Sequence, residues 1–255
     1  MPRKMRVEEC GYHHVINRGV ARSDVFLEDL DKEKFLNILI SIAKDYRLFV
    51  HSFCLMDNHY HLLVENRREN LSTAIQQLNA QYAMYFNKKY KRSGHLWQGR
   101  FNSYFIFDET YLFTLFKYIE TNPLKANISQ KIGEYKYSSS YAILKDMIPP
   151  FLQNSFVLRD YNINELFELL NEKLSIKEQE ILEKLQQQKF QKVGDKILHI
   201  KKEEIQNYFL KVDDKKERNK MVKKAFLDGH TKSEIARQIN LSVAGVSKIL
   251  KKLKV

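Results

Sequence analysis

The chain has 255 residues, 44% of them hydrophobic, which is enough to bury a sizeable core in one medium domain plus a smaller one. Its 43 lysines and arginines outnumber 31 acidic residues, and the net charge of +12 predicts a polyanionic partner, either nucleic acid or an anionic membrane surface. No apolar run approaches the roughly 20 residues that cross a bilayer, and the N-terminus lacks the apolar core of a signal peptide, so we expect nucleic acid and no membrane.

The first half of the chain predicts alternating strands and helices. Strands are expected where apolar and aromatic residues alternate or cluster, at 12–18, 48–56, 59–65 and 100–107. Helices are expected where apolar residues recur at spacings of three and four, at 31–46, 71–90 and 108–121. Asp108 can cap the third helix and Pro123 should end it. The order predicts an α+β fold of the ferredoxin-like split βαβ type, an antiparallel sheet with helices on one face and the other face open.

Two histidines, His59 and His61, lie one residue apart in the apolar stretch FCLMDNHYHLLV. Successive strand side chains alternate between faces, so these two project together while Tyr60 points the other way. Such a pair could clamp a metal ion with two nitrogens. The alternative is a half-buried strand whose solvent-exposed face happens to carry polar residues.

The third helix carries Tyr118 and Asn122, which are four residues apart and should share one helical face. A tyrosine hydroxyl is a candidate nucleophile, but it needs activation by a nearby cation or base. Asn122 could complete a metal shell through its amide oxygen. Alternatively, Tyr118 only packs the helix and Asn122 is a cap next to Pro123.

The segment between the second helix and the fourth strand combines positive charge, an aromatic plane and amide donors. This combination is typical of sites that bind backbone phosphate and stack unpaired bases, and the residues concerned are Arg92, His95, Trp97, Gln98 and Arg100. The alternative is a packed Trp97 with solvated arginines.

The remaining residues change character after Pro149 and Pro150. We interpret 147–216 as a helical connector that packs on the preceding domain, and 217–255 as an all-α helix-turn-helix module. In this module, Thr231 and Glu234 form a capping box and Ser242 can cap the last helix. The residues expected at or near a DNA groove or its phosphates are Ser242, Ala244, Ser247, Lys248, Lys251 and Lys252. The alternative is a basic helical hairpin that recognises no sequence.

Four motifs together carry a family resemblance: HVINRG at 14–19, LMDNHYHLLV at 55–64, GHLWQGRF at 94–101 and YIETNPLKA at 118–126. They resemble the HUH single-tyrosine transposases, in particular the REP-associated tyrosine transposases, over roughly residues 8–146. The resemblance implies a metal-dependent DNA strand transferase, with His59 and His61 as metal ligands and Tyr118 as nucleophile. In related transposases the residue four after the tyrosine is often a glutamine that also binds the metal; here it is Asn122.

The implied chemistry is cleavage and rejoining of single-stranded DNA, at hairpin or repeat ends, through a covalent 5′-phosphotyrosine. Magnesium or manganese is the first choice of divalent metal. Residues 1–146 would form the catalytic domain, and duplex DNA would bind the C-terminal module. Two oligomeric states stay open: a monomer, and a homodimer in which one chain completes the active site of the other.

Two alternatives to a transposase are kept. One is an HUH relaxase or replication initiator, which shares the chemistry, and the other is a domesticated DNA-binding regulator with an idle site. Only Cys10 and Cys54 are present, without metal-binding spacing, so a reducing cytoplasm is expected. The resemblance makes this a bacterial cytoplasm, with association to the nucleoid.

Overall fold

A four-stranded antiparallel sheet organises the first part of the computed structural model. Its strands are β1 (Gly11–Arg18), β2 (Leu48–Met56), β3 (His59–Asn66) and β4 (Asn102–Ile106), in the order β2-β3-β1-β4. Helix α1 (Asp29–Tyr46) connects β1 to β2, and α2 (Leu71–Lys89) connects β3 to β4. This is the ferredoxin-like split arrangement, and it confirms the predicted α+β class.

The structure describes residues 7–172, 174–187, 189–193, 196–200, 204–210, 212, 214–228 and 230–252. The chain separates into two units, of which the first comprises Glu8–Gln186 and the second contains Gln187–Val255. Within these described ranges, no helix is both long and apolar enough to cross a membrane.

The β2–β3 hairpin fixes the position of the two histidines. Asp57 and Asn58 form its two-residue turn, as predicted, so that Met56 lies opposite His59. On the other side of β3, strand β1 places Arg18 opposite His59. The Lys32 ammonium donates to the Asp57 carboxylate at 2.8 Å, which ties this turn to α1.

Helices α1 and α2 cover one face of the sheet because Tyr60 and its same-face neighbours are apolar. Tyr60 is completely buried, and its ring lies 4.8 Å from that of Phe35 on α1. Its hydroxyl donates to the Asn79 amide oxygen on α2 at 2.9 Å. Tyr60 therefore faces the core, opposite to its histidine neighbours.

The opposite face, which we expected to stay open, is covered by helices. Helix α3 (Leu112–Glu120) contacts β2 and β3, and α5 (Ser139–Leu144) contacts β2. Leu115, Phe116 and Ile119 of α3 are fully buried. The prediction of an open face was wrong because α3 is amphipathic and buries its apolar side against this face of the sheet.

The chain around Pro123 also differs from expectation. Asp108 does act as a cap, since its carboxylate accepts the Thr110 N–H at 3.0 Å, but a 3₁₀ turn precedes α3. Helix α4 (Asn122–Lys125) begins two residues after α3 ends. Pro123 lies in the first turn of α4, where a missing N–H costs nothing, so it does not end the helical segment.

Only the part of the predicted connector that precedes Gln187 belongs to the unit that contains the sheet. Its helices are α6 (Phe156–Asp160), α7 (Ile163–Asn171) and α8 (Ile176–Gln187), and Phe156, Leu170 and Leu182 join the same hydrophobic core. The Ser155 hydroxyl donates to the backbone carbonyl of His51 on β2 at 2.9 Å.

The prediction that the connector is wholly helical was wrong. Strands β5 (Lys189–Val193) and β6 (Lys196–Ile200) pair in antiparallel fashion, with Val193 opposite Lys196. The sequence between them is Gly-Asp, which is typical of two-residue hairpin turns, and the flanking residues alternate. We interpreted this region as helical because apolar residues recur at helical spacing in the residues that precede it.

The second unit ends in three helices, α9 (Lys215–Leu227), α10 (Lys232–Gln238) and α11 (Val243–Lys252). The predicted capping box starts α10, where the Thr231 N–H donates to the Glu234 carboxylate at 2.7 Å and the Thr231 hydroxyl accepts the Glu234 N–H at 3.1 Å. Asn240 turns the chain with φ of +51° before α11. A separate small core of Val222, Ile235 and Val246 holds the three helices together.

Candidate active site

The two histidines of β3 each use one ring nitrogen within the protein. His59 Nδ1 lies 2.6 Å from the Asn58 amide oxygen, and His61 Nδ1 lies 2.9 Å from His14 Nε2. The His59 and His61 ring centroids are 5.0 Å apart. If both Nδ1 atoms carry the proton, both Nε2 atoms present a lone pair, which is how protein imidazoles bind metal ions.

Burial keeps these imidazoles uncharged. It lowers the pKa of His14 to about 3 and that of His59 to about 4. Burial also holds the pKa of His61 well below its usual range, and the neighbouring His14, His59, Arg18 and Lys125 lower it further. Because a metal binds the neutral imidazole, the pair is in the binding form throughout the physiological pH range.

Helix α3 brings Tyr118 to the histidines. Its ring centroid lies 6.1 Å from that of His61 and 6.1 Å from that of His14, nearly perpendicular to both. The Lys125 ammonium lies 4.3 Å from the centroid of the Tyr118 ring. A hydroxyl-bearing ring, a cation and the neutral imidazoles therefore meet at one place.

Asn122 lies at the junction of α3 and α4. Its amide nitrogen donates to the backbone carbonyls of Tyr118 at 2.9 Å and Ile119 at 3.1 Å. The side chain thus caps α3, and its oxygen is the atom that could bind an ion. In the described part of the chain, no group of three or more His, Cys, Asp or Glu could hold a metal. The histidine pair therefore needs an amide, water or DNA oxygen to complete a metal shell.

Three further residues at this site were not among the predicted ligands and nucleophile. His14 and Arg18 lie on the same face of β1 as the histidines of β3, because that strand pairs with β3 in register. Strand alternation alone places both on one face of β1, and only the register between β1 and β3 shows that this face also carries His59 and His61. Lys125 was not predictable from spacing, since its position depends on the break between α3 and α4.

The segment 92–100 is attached to the same end of the sheet. The Gln98 N–H donates to the Arg18 carbonyl at 2.8 Å, and the Val20 N–H donates to the Leu96 carbonyl at 3.0 Å. Since Arg18 pairs with His59, this segment lies beside the histidine end of β3.

Trp97 takes the packed arrangement that was the alternative to base stacking. It is half-buried, its indole N–H donates to the Asn79 carbonyl at 3.0 Å, and its ring lies 5.6 Å from that of Tyr60. The other predicted DNA-binding side chains of this segment are exposed: Arg92, His95, Gln98 and Arg100.

In the second unit, α11 has a buried side and an exposed basic side. Val246 and Leu250 are buried. Ser242 caps this helix, since its hydroxyl accepts the Gly245 N–H at 3.0 Å. Ser247 is half-buried, and the remaining predicted groove and phosphate residues are exposed: Ala244, Lys248, Lys251 and Lys252.

Residues 6–122 match the family model described as "Transposase IS200 like". This segment is similar to the IS200-like transposases. The IS200-like segment contains His14, His59, His61, Tyr118 and Asn122 and ends before Lys125.

A protein of similar sequence has a more specific name. A Haemophilus influenzae protein named as a REP-associated tyrosine transposase is 28% identical in an alignment of 141 residues that covers 51% of this chain and 79% of the relative.

Two solved structures match part of this chain at lower sequence identity. A REP-associated tyrosine transposase bound to a REP hairpin is 17% identical, with a TM-score of 0.49, over 59% of this chain and 90% of that one. A Deinococcus radiodurans protein named as a transposase is 18% identical, with a TM-score of 0.34, over 48% of this chain and 97% of that one.

Proposed function

We propose that this IS200-like protein is a REP-associated tyrosine transposase that cleaves and rejoins single-stranded DNA at hairpin or repeat ends. The observation that carries the proposal is the Tyr118 ring 6.1 Å from the ring of His61, whose partner on the strand is His59. The similarity to the Haemophilus influenzae relative supports the same class of substrate.

In the proposed reaction the Tyr118 hydroxyl oxygen attacks the phosphorus of a phosphodiester. The bond to the 3′ oxygen breaks, and the products are a 5′-phosphotyrosine and a free 3′-hydroxyl. The phenol proton leaves to water, and the departing 3′ oxygen takes up a proton. Attack of another 3′-hydroxyl on the phosphotyrosine reverses the step and joins a new strand. Each step replaces one phosphoester bond with another, so the reaction needs no energy from a nucleoside triphosphate.

His59 and His61, through Nε2, and Asn122, through its amide oxygen, would hold a magnesium or manganese ion. Such an ion supplies Lewis-acid polarisation of the phosphate. His14 and Asn58 orient the two imidazoles by holding their Nδ1 atoms.

Two cations of the chain would contribute next to this group. Lys125, which contacts the Tyr118 ring, can neutralise a phosphate oxygen at the point of attack. Arg18, across from His59, can do the same on the strand side.

DNA would be bound by two parts of the chain. The exposed Arg92 and Arg100 would contact the backbone of the single strand, and α11 would enter the groove of duplex DNA with Lys248, Lys251 and Lys252 near phosphates. We propose the bacterial cytoplasm, at the nucleoid, as the place of action.

A denaturing gel tests the proposal. A single strand labelled downstream of the nick should shift to the mobility of a protein–DNA adduct when incubated with the chain and manganese. Tyr118→Phe should abolish the shifted band while single-strand binding persists. Tyr104→Phe is the matched control, because its ring lies 6.0 Å from that of His14. An adduct that survives in Tyr118→Phe contradicts the proposal.

A further inference from the structure

A cavity of about 740 Å³ opens beside the proposed nucleophile, inside the first unit. Tyr118, Thr121 and Lys125 line one side of it, and residues of α7, α8 and the link between them line the other. Its volume is in the range of small-molecule sites and exceeds what one nucleoside needs. The connector, which shows no chemistry in its sequence, thus forms a wall of the site.

Part of the cavity wall is apolar. This part is formed by Leu124, Ile132, Leu170, Leu174 and Leu182. Ile132, Leu170 and Leu182 are buried members of the hydrophobic core, so the core holds this part of the wall in place. A base stacked between aliphatic side chains would remove its apolar faces from water.

The polar groups of the cavity are mainly hydrogen-bond acceptors. The Asn171 amide nitrogen donates to the Phe167 carbonyl at 2.8 Å, and the Gln179 amide nitrogen donates to the Leu174 carbonyl at 3.1 Å. These bonds hold the amide nitrogens to backbone carbonyls and leave the oxygens for a ligand. Glu172 and Glu183 add carboxylates, which only accept when ionised.

The charges fix which part of a nucleotide could enter. The carboxylates of Glu172 and Glu183 repel phosphate, whereas the Lys125 ammonium, which lies against the Tyr118 ring, attracts it. A nucleotide would therefore keep its phosphate at Lys125 and Tyr118 and point its base toward α7 and α8.

We propose that this cavity binds a guanine base of the nucleotide that flanks the phosphate attacked by Tyr118. The inference rests on the proposed function. Guanine presents two adjacent donors, N1–H and the N2 amino group, which match a carboxylate in bidentate fashion. On the same edge, adenine and cytosine each have an amino donor next to a ring-nitrogen acceptor, and thymine has one N–H donor between two carbonyl acceptors. Each of these bases would therefore place an acceptor against the carboxylates.

Equilibrium dialysis of the full chain against radiolabelled deoxynucleoside monophosphates tests the site without cleavage. We expect dGMP to bind about tenfold more tightly than dAMP, dCMP or dTMP, and deoxyinosine monophosphate, which lacks only the amino group, to lie between. The double variant Glu172→Gln, Glu183→Gln should bind all five within about twofold. Glu168→Gln, an exposed position of α7 outside the cavity, should keep the preference for dGMP. Equal binding of the five nucleotides by the unchanged chain, or an unchanged preference in the double variant, overturns the assignment.

A second experiment separates this inference from the proposed function. The chain is incubated with manganese and a random single-stranded library, and the DNA in the covalent adducts is sequenced. Enrichment of guanine at one position flanking the nick, lost in the double variant, supports the cavity assignment. Adducts without that enrichment contradict the cavity assignment alone. Absence of any adduct contradicts the proposed function, and the dialysis result then decides the cavity by itself.

Discussion

At the scale of single residues, the contact between His14 and His61 determines which nitrogen of His61 can meet an ion. His14 Nε2 lies 2.9 Å from His61 Nδ1, so a proton on His61 Nδ1 would be donated to His14 and would leave the lone pair of His61 Nε2 for an ion. The histidine pair of β3 was predictable because strand alternation is a local rule. His14 follows the same rule one strand away, but its role depends on the β1–β3 register, which spacing within β1 does not supply.

His14→Phe should lower the affinity for manganese by about 10- to 100-fold, because an unanchored His61 loses orientation and basicity. His14→Gln, which can still accept from Nδ1, should recover part of that loss. Electron paramagnetic resonance titration of the full chain measures the free ion. His13→Gln is the control, since His13 is bonded to Ser103 and the Glu9 carbonyl. An unchanged affinity of His14→Phe for manganese would show that His14 has no role in metal binding.

Buried histidines also predict a pH dependence of folding stability. Burial lowers the pKa of His13 and His51 to about 4 and that of His14 to about 3. In the unfolded chain these groups titrate near 6.5 and take up protons that the folded chain excludes. Their stabilisation is therefore complete above pH 6.5 and is lost as the pH falls below it, by up to about 1.4 kcal/mol per pH unit for each histidine.

Urea denaturation at pH 7.5, 6 and 5, without metal, measures this loss. Burial opposes the lowering of the Asp31 pKa by its hydrogen bonds from Lys89, Tyr90 and Leu27, and the lowered pKa means that Asp31 loses its contribution only below the ordinary aspartate range. Glu120, whose pKa burial raises, gains stability as the pH falls, but this one group opposes five histidines with lowered pKa values, His13, His14, His51, His59 and His61. A free energy of unfolding that stays level or rises from pH 7.5 to 5 would show that the imidazoles are protonated in the folded chain.

At the scale of elements, helix α3 is held on the sheet by a buried carboxylate as well as by its apolar stripe. Glu120 is 1% exposed, and its carboxylate accepts the Ser52 hydroxyl at 2.8 Å and the Ser140 N–H at 2.8 Å. Burial raises the pKa of Glu120, against the lowering effect of these hydrogen bonds. The carboxylate connects α3, β2 and α5, and so fixes the helix that carries Tyr118.

Glu120→Ala should lower the free energy of unfolding by about 2–3 kcal/mol, because Ser52 and the Ser140 N–H lose their partner in the interior. Thermal and urea denaturation measure the change. Glu109→Ala, at an exposed position of the turn before α3, should stay within about 0.5 kcal/mol of the unchanged chain. Equal stability of the two variants would mean that the apolar contacts alone hold α3.

The elements that could be predicted from sequence are those with local signals. The four strands, α1, α2 and the Asp57–Asn58 hairpin turn each follow from alternation, helical spacing or turn residues. The covered second face, the break at Asn122 and the cavity lined by α7 and α8 depend on contacts between distant segments. The β5–β6 hairpin did have a local signal in Gly194-Asp195, which the helical interpretation of the connector passed over.

At the scale of the whole molecule, the chain combines an IS200-like segment with a basic helical module. The last 37 residues contain nine lysines and arginines against two acidic residues. Such an excess on a short module would favour salt-dependent binding to duplex DNA, whereas the proposed single-strand chemistry would depend on residues of the first unit.

The triple variant Lys248→Ala, Lys251→Ala, Lys252→Ala should reduce the slope of log affinity for duplex DNA against log salt by about three units, near 0.9 for each lost phosphate contact. Fluorescence anisotropy between low and moderate salt measures the slope. Formation of the adduct with single-stranded DNA should be unchanged, which serves as the internal control. A slope equal to that of the unchanged chain would exclude this face of α11 from the DNA interface.

Mass spectrometry of the tryptic protein–DNA adduct tests the central claim most directly, because it locates the covalent bond. Trypsin cuts after Lys117 and Lys125, so a bond at Tyr118 places the nucleotide on the peptide 118–125, YIETNPLK. The account predicts that this peptide carries the 5′-phosphonucleotide and that the preceding peptide, 101–117, which contains Tyr104 and Tyr111, is unmodified. A nucleotide on peptide 101–117, or on any residue other than Tyr118, would contradict it.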